Sequence, residues 1–378
     1  MKFDTHLCLV SNQATPNLIP VMDANTAPRR VVLALSADMK QRGAWLSAVM
    51  RRHGITVEVL EIPDAYDFNS CWEVFSDWLT TQDKDVALNA TGGTKIMAIA
   101  AQDVFREAKK AVFYVNIEND SLLRLDRGEK PVILPTKIKL REYLESHGYE
   151  VEGGVKKPDI SAEQRDFVTK LGYESERLGH ALGKLNWLAQ QAKGSLKSPV
   201  LDESALDSQT FNELLGRFSE AGCLSVKDKR LVFPNESARQ FVNGGWLEFL
   251  VYQALSSLSS EFNFSDYAIG LKVRAPNKTT SNELDGAFLY RNTLHIIECK
   301  TANLVQSSTD NNQSKGTDAL YKLDGLRNMG GLRTKAALID YRGSLNDADK
   351  GRAAQMRLTV ISGSQLRNLA GCLKGWLK

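Results

Sequence analysis

Over the first 150 residues, short apolar runs rich in β-branched side chains recur at 7–11, 31–36, 56–62, 86–89 and 111–117. Between them, 43–53, 70–80 and 94–109 space their apolar positions as amphipathic helices do. Near-continuous apolar strands alternating with helices predict a mainly parallel sheet covered on both faces. A hairpin at 121–126 and 131–134 and a helix at 139–146 follow. No GxGxxG succeeds any strand, so this part reads as Rossmann-like without a dinucleotide fingerprint. Residues 151–158 (VEGGVKKP) read as a linker through their Gly, Lys and Pro content. From Ser161 the pattern turns helical, with Ser161 and Gln164 in capping spacing and Phe167, Leu171 and Leu178 on one face. A helix at 211–221 and a two-stranded wing at 223–233, turning at Lys227-Asp228-Lys229, predict a winged-helix-like module. It lacks a strongly basic helix and is expected to act as a connector. The last segment predicts a helix at 245–258 and strands at 267–274, 283–290 and 293–299. A polar stretch at 306–316 is expected to be a mobile loop. A helix at 319–328 and strands at 335–340 and 358–361 complete a second α/β unit. The expected domains are 1–150, 151–240 and 241–378.

Composition narrows the setting. A chain of 378 residues exceeds what one hydrophobic core usually serves, which agrees with several domains. No apolar run approaches the roughly 20 residues of a membrane helix, and residues 1–12 read as a strand without a cleavable signal. Cys8, Cys71, Cys223, Cys299 and Cys372 lie far apart with no CxxC pair. That pattern argues for reduced thiols in a cytoplasmic protein, against a disulfide framework or a zinc site. The net charge of +3 is too small to identify a nucleic-acid partner. After about residue 264, however, basic residues outnumber acidic ones, which suits a phosphate-backbone substrate.

Candidate chemistry concentrates in Asn282-Glu-Leu-Asp-Gly-Ala-Phe-Leu-Tyr290 and Thr293-Leu-His-Ile-Ile-Glu-Cys-Lys300, two strands joined by Arg291-Asn292. Strand alternation puts Glu298 and Lys300 on one face and the Cys299 side chain on the other. Two carboxylates about 4 Å apart repel by roughly 4 kcal/mol at an effective dielectric of 20, a cost that a divalent cation converts into binding. Hard oxygen ligands suit Mg²⁺ or Mn²⁺. Such an ion lowers the pKa of bound water and neutralises charge on a phosphodiester, and a neighbouring lysine can orient that water. The Cys299 backbone carbonyl is also placed to ligate. Glu283 shares the face of Asp285 and is a supporting candidate.

These residues resemble the PD-(D/E)xK nuclease superfamily, with Asp285 as its aspartate and Glu298-Cys299-Lys300 as its ExK. The superfamily's proline is absent. The resemblance implies a restriction-endonuclease-like α/β domain and a glutamate on the preceding helix, for which Glu248 is the candidate. The implied catalytic set is Glu248, Asp285, Glu298 and Lys300. A cluster of ordinary surface ion pairs would need neither the apolar strand before ExK nor the paired aspartate.

A second motif, Asn89-Ala-Thr-Gly-Gly-Thr-Lys95, stands where a strand meets a helix. Backbone N–H groups at a helix start favour anions, and glycines allow close approach. Its spacing is not that of a Walker A loop. Together with Ser11-Asn12-Gln13, it resembles the CARF domain, the CRISPR-associated Rossmann fold. The resemblance implies a homodimer binding a cyclic oligoadenylate at its two-fold interface, with Ser11, Asn12, Thr91, Gly92, Gly93, Thr94 and Lys95 lining the pocket. The order of the two domains resembles type III CRISPR ancillary nucleases of antiviral defence. That implies a metal-dependent endonuclease, cutting DNA, RNA or both, activated by cyclic tetra-adenylate. The HEPN alternative needs Arg-x₄₋₆-His, and Arg177-Leu-Gly-His180 and Arg291-Asn-Thr-Leu-His295 are too short. His295, inside an apolar strand, is expected to be structural. Tyr321 and Lys322 are candidates to contact the scissile strand. The competing reading is a ligand-responsive DNA-binding regulator with an inactive nuclease fold.

Overall fold

The computed structural model describes residues 2–82, 85–128, 130–155, 158, 161–277, 279–305 and 314–378. The first unit runs β1 (Thr5–Leu9), α1 (Thr15–Met22), β2 (Arg30–Leu35), α2 (Lys40–Arg52), β3 (Thr56–Glu61), α3 (Phe68–Thr80), β4 (Val86–Asn89), α4 (Lys95–Glu107) and β5 (Ala111–Asn116). Then come β6 (Ser121–Arg124), β7 (Val132–Ile133) and α5 (Leu140–Ser146). The strands lie in the order β3-β2-β1-β4-β5-β6-β7, parallel from β3 to β5 and antiparallel beyond. The chain therefore reverses its direction of winding between β1 and β4. That switch point opens a crevice at the strands' carboxyl ends, as in other doubly wound sheets.

The pattern did not predict α1, because Pro16 and Pro20 conceal it. Pro16 stands in the first turn, where no N–H is missed. Pro20 lacks the N–H that would reach Pro16, and the Asn89 side chain donates to that carbonyl instead, at 3.0 Å.

The expected linker at 151–158 is corrected over 151–155, while 156 and 157 lie outside the described residues. Glu150–Val155 forms β8, an edge strand pairing antiparallel with β11 (Asp266–Arg274). Its glycines remove side-chain bulk where the strand crosses Leu271: a Cβ on Gly154 would stand 2.6 Å from a Leu271 methyl. The connector comprises α6 (Ala162–Tyr173), α7 (Ser175–Gln191), α8 (Glu203–Asp207), α9 (Gln209–Glu220), β9 (Ser225–Lys227), β10 (Arg230–Val232) and α10 (Glu236–Gln240). The β9–β10 turn is the predicted one, with Asp228 and Lys229 both at positive φ as a tight hairpin requires. Arg217 on α9 pairs with Glu174 and Glu213, so this helix presents no free basic face for DNA.

A widened turn, Phe241–Gly245, leads into α11 (Trp246–Phe262). Then follow β11, β12 (Ser281–Tyr290), β13 (Thr293–Lys300), α12 (Lys315–Arg327), β14 (Lys335–Asp340), α13 (Asp347–Gln355), β15 (Thr359–Ser362) and α14 (Leu369–Leu377). This sheet runs β15-β14-β13-β12-β11-β8, antiparallel up to β13 and parallel from β13 to β15. Of the polar stretch expected to be a loop, 306–313 lie outside the described residues, and Ser314 caps α12. One apolar cluster joins a face of the first sheet, through α5, to a face of the second with α12. The opposite face of the second sheet packs on α7, α9, α11 and α14. Among the described residues, no helix is long and apolar enough to cross a membrane.

Candidate functional site

β13 is buried over most of its length because it lies mid-sheet, so its carboxyl end carries polar side chains out of a dry interior. The turn at Arg291 and Asn292, both at positive φ, sets the register that brings β12 beside it. In consequence the Cys299 N–H donates to Asp285 Oδ2 at 2.7 Å, which fixes the carboxylate at the end of the ladder. Glu248, in the first turn of α11, comes from the opposite layer. Glu283 and Glu248 meet over Gly270, where a Cβ would lie 3.4 Å from Glu283 Oε1 and 3.9 Å from Glu248 Oε2. Glu248, Glu283, Asp285, Cys299 and Lys300 line one cleft of about 1090 Å³ between the connector and the second sheet, with Lys272 and Thr301 beside them.

Glu298 differs from its partners. It is buried beneath the cleft, and its Oε1 accepts from Lys300 Nζ at 2.6 Å and Lys322 Nζ at 2.8 Å. Its Oε2 is buried without a hydrogen-bond partner among the described residues. Lys322 thus points at the acid expected to ligate, rather than outward for a substrate strand. Tyr321 is half-exposed and lies under Arg352, 5.7 Å from its ring centre.

The carboxylates strain one another. Burial, then the charges of Asp285, Glu283 and Glu298, push the Glu248 carboxyl up to about 8. Burial and Glu298 push Asp285 up to about 6, against the Cys299 N–H and the nearby lysines. Burial alone would lower Lys300, but Glu298 and Asp285 outweigh it and hold the ammonium above its ordinary value. Such crowding is what a divalent cation relieves. Among the described residues, no three His, Cys, Asp or Glu side chains are grouped closely enough to hold an ion together. The donor chemistry fits a hard cation, and Glu298 Oε2, buried without a partner among the described residues, is an oxygen that such an ion would satisfy.

The second candidate site lies at the switch point of the first sheet. Gly92 packs on β1 so closely that a Cβ would stand 2.0 Å from the Leu9 carbonyl oxygen, and Gly93 has φ +73°. Thr94 caps α4, accepting from the Met97 N–H at 3.1 Å and donating to the Ala65 carbonyl at 2.6 Å. Thr91 donates to Asn89 Oδ1 at 2.6 Å and accepts from the Val115 N–H at 2.8 Å. Both hydroxyls therefore shape the loop from within. Lys95 and Asn12 are exposed, while Ser11 stands beside Gly92. Asn17 is a supporting residue that sequence reasoning missed. It bridges Asn89 at 3.0 Å and the Leu9 carbonyl at 2.8 Å, tying α1 to both loops. Pro20 was the available signal, since a proline inside a helix leaves the carbonyl four residues earlier without its backbone donor.

His295 is buried, stacked on Phe288 at 4.6 Å, with Nδ1–H donating to the Thr293 carbonyl at 3.0 Å. Burial holds it down to about 3, so it is a neutral structural imidazole, as expected.

Comparison with known proteins agrees with this arrangement. Residues 5–143 match the family model of the Card1 CARF domain, and residues 235–378 match that of the Card1-like endonuclease domain. A crystal structure of protein VC1899 from Vibrio cholerae is 26% identical, covers 98% of this chain and 97% of that one, and has a TM-score of 0.86. A structure of Can2 from Sulfobacillus thermosulfidooxidans in complex with cyclic tetra-adenylate is 27% identical, covers 100% of each chain and has a TM-score of 0.82. A type III CRISPR defence DNA nuclease activated by cyclic oligoadenylate shares the fold, at 20% identity and a TM-score of 0.54, covering 90% of this chain and 45% of that one. No curated protein matches.

Proposed function

We propose that this chain, which joins a CARF domain to a Card1-type PD-(D/E)xK-like endonuclease domain, is a metal-dependent endonuclease activated by a cyclic oligoadenylate. The observation that carries the reading is the meeting of Glu248, Glu283, Asp285 and Lys300 in one cleft, with Glu298 directly beneath. Asp285, Glu298 and the Cys299 carbonyl would hold Mg²⁺ or Mn²⁺, with Glu248 and Glu283 in support. Once bound, the ion would supply an activated water and neutralise charge on the phosphodiester. Lys300, kept charged by Glu298 and Asp285, would orient the attacking water and stabilise the negative charge that builds on the non-bridging phosphate oxygens. Lys272 adds positive charge at the cleft wall for a DNA or RNA backbone.

For the messenger, support comes from the switch-point loop and from the relative solved with cyclic tetra-adenylate over its full length. Backbone N–H groups of Gly92 to Lys95 at the start of α4 would face the ring's phosphates, with Ser11, Asn12 and Lys95 around them. Thr91 and Thr94 contribute by fixing the loop. The ring is larger than one such loop can enclose, so a second copy of the chain completes the pocket. Exposed Tyr66 and Ile99 suit that role: Tyr66 follows the residue to which Thr94 is tied, and Ile99 is one turn beyond Lys95.

The test is cleavage of single- and double-stranded DNA and RNA with Mn²⁺, with and without cyclic tetra-adenylate, in wild type and Glu298→Ala. Messenger-dependent cutting by wild type alone is expected. Equal activity in the two proteins would overturn the site assignment. Messenger-independent cutting would overturn the gating.

A further inference from the structure

Glu298 is held by two lysines, and only Lys300 belongs to the expected catalytic set. The second, Lys322, comes from α12, and the course of that helix gives the contact its meaning. At its start, α12 is anchored: Ser314 and Thr317 donate to the two Asp349 carboxylate oxygens at 2.6 and 2.7 Å. Leu320 and Leu323 bury its inner face. At its end, the turn Asn328–Gly330 and then Gly331 reach the CARF domain. Tyr143 OH donates to the Gly330 carbonyl at 2.7 Å. A Cβ built on Gly331 would lie 3.7 Å from the Asn12 carbonyl oxygen and 3.5 Å from His147 Nε2. Asn12 is in the loop after β1, where the messenger is proposed to bind. Its carbonyl also accepts from Arg42 at 3.5 Å, and both residues line an inter-domain cavity of about 280 Å³ with Trp45, His147 and Leu332.

We propose that Lys322 is a positioning residue that holds Glu298 away from the metal site, and that the messenger loop releases it by moving the far end of α12. The inference rests on the proposed function and names its regulation. Lys322 is about 8 Å along the helix from Thr317 and about 8 Å from Arg327, at 1.5 Å per residue. A helix pivoting at its anchored start therefore passes about half of any shift at its end to Lys322. A 2 Å shift at the junction becomes about 1 Å at the Lys322–Glu298 contact, enough to take a 2.8 Å hydrogen bond out of range. Freed of one cation, Glu298 can turn its carboxylate to the ion beside Asp285. The ammonium thus stands in for positive charge while the enzyme is at rest. The same rotation would give Oε2, now without a partner, a ligand.

The experiment measures Mn²⁺ affinity by titration calorimetry in full-length wild type, Lys322→Met and Lys322→Arg, with and without cyclic tetra-adenylate. Lys322 is half-exposed, so both variants are expected to fold, and melting in chelator checks this. Without messenger, Lys322→Met is expected to bind Mn²⁺ about tenfold more tightly than wild type, and Lys322→Arg to resemble wild type. The messenger should raise wild-type Mn²⁺ affinity by a similar factor and Lys322→Met affinity very little. By linkage, Mn²⁺ should raise messenger affinity equally in wild type. Unchanged Mn²⁺ affinity in messenger-free Lys322→Met would overturn the clamp. A full messenger effect persisting in Lys322→Met would overturn the transmission through α12. Messenger binding is measured separately. If wild type binds none, the functional reading fails, while the messenger-free comparison still decides the clamp.

Discussion

If the crowded carboxylates hold the proposed cation, its binding should depend on pH in a way that belongs to Glu248. In the metal-free protein its carboxyl stands at about 8 and Asp285 at about 6, each through burial first and neighbouring carboxylates next. Between pH 6 and 8, then, Glu248 carries a proton that an arriving cation must displace. One proton released per ion means that Mn²⁺ affinity climbs about tenfold per pH unit across this window, about a hundredfold in all, and levels off above 8. Below 6, Asp285 adds a second proton and the slope steepens. Glu248→Gln keeps the shape of the side chain and removes this titration, so its affinity should be flat above about 6. Calorimetry at constant ionic strength, in buffers of different ionisation enthalpy, reads both the affinity and the proton count. A flat wild-type profile from 6 to 8, or an unchanged slope in Glu248→Gln, refutes the reasoning. Stability without metal carries the same signature. An acid whose folded pKa exceeds its unfolded value contributes stability that is intact below about 4.5 and is lost as pH rises through about 8. The full shift corresponds to about 5 kcal/mol, which water in the open cleft screens to about 2 kcal/mol. Glu248→Gln should accordingly be the more stable protein in chelator at pH 8.5 and should lose that advantage at pH 5.

Other expectations follow from single contacts. Gly92→Ala places a methyl group 2.0 Å from the Leu9 carbonyl oxygen, so the loop must move; cyclic tetra-adenylate affinity should fall at least about tenfold, with a stability loss of about 1–3 kcal/mol in melting experiments. Asn89→Ala leaves the buried Pro16 carbonyl and the Asn17 side-chain oxygen without their donor and should cost about 1–3 kcal/mol, read by denaturant unfolding, with metal affinity unchanged. His295 is a base whose folded pKa is lowered to about 3, so its stability contribution is intact above about 6.5 and is lost as pH falls through about 3. His295→Phe should flatten the acid limb of the melting-temperature profile while leaving cleavage at pH 7.5 unaffected.

Much of this molecule is written in local pattern. Apolar runs of β-branched residues mark the parallel strands, because a strand covered on both faces has no polar positions to interleave. The Asp285 hairpin and the alternation of Glu298, Cys299 and Lys300 are legible because a period of two assigns faces without further information. The strand-to-helix string Asn89 to Lys95 is legible for a similar reason, since a helix start exposes N–H groups wherever it falls. What the local pattern does not carry is any distance between layers. The stretch at 151–158 looks like a linker by composition, yet its part within Glu150–Val155 closes the edge of the second sheet, because that edge offers unpaired backbone groups that only a neighbouring strand satisfies. Proline content hid α1, whose free carbonyl is completed by Asn89, 73 residues away. Strand alternation put Glu298 on the catalytic face, but packing decided that it lies beneath the cleft between two lysines. Nothing in the spacing of Lys322 from Glu298 foretells their contact. It exists because α12 packs across β13 while ending against the domain that carries Asn12. Residue types and their faces were thus settled by sequence alone. Which acid lines the cleft, which is buried between two lysines, and which helix runs from that acid to the loop after β1 were decided by tertiary packing, because burial and charge act through space rather than along the chain.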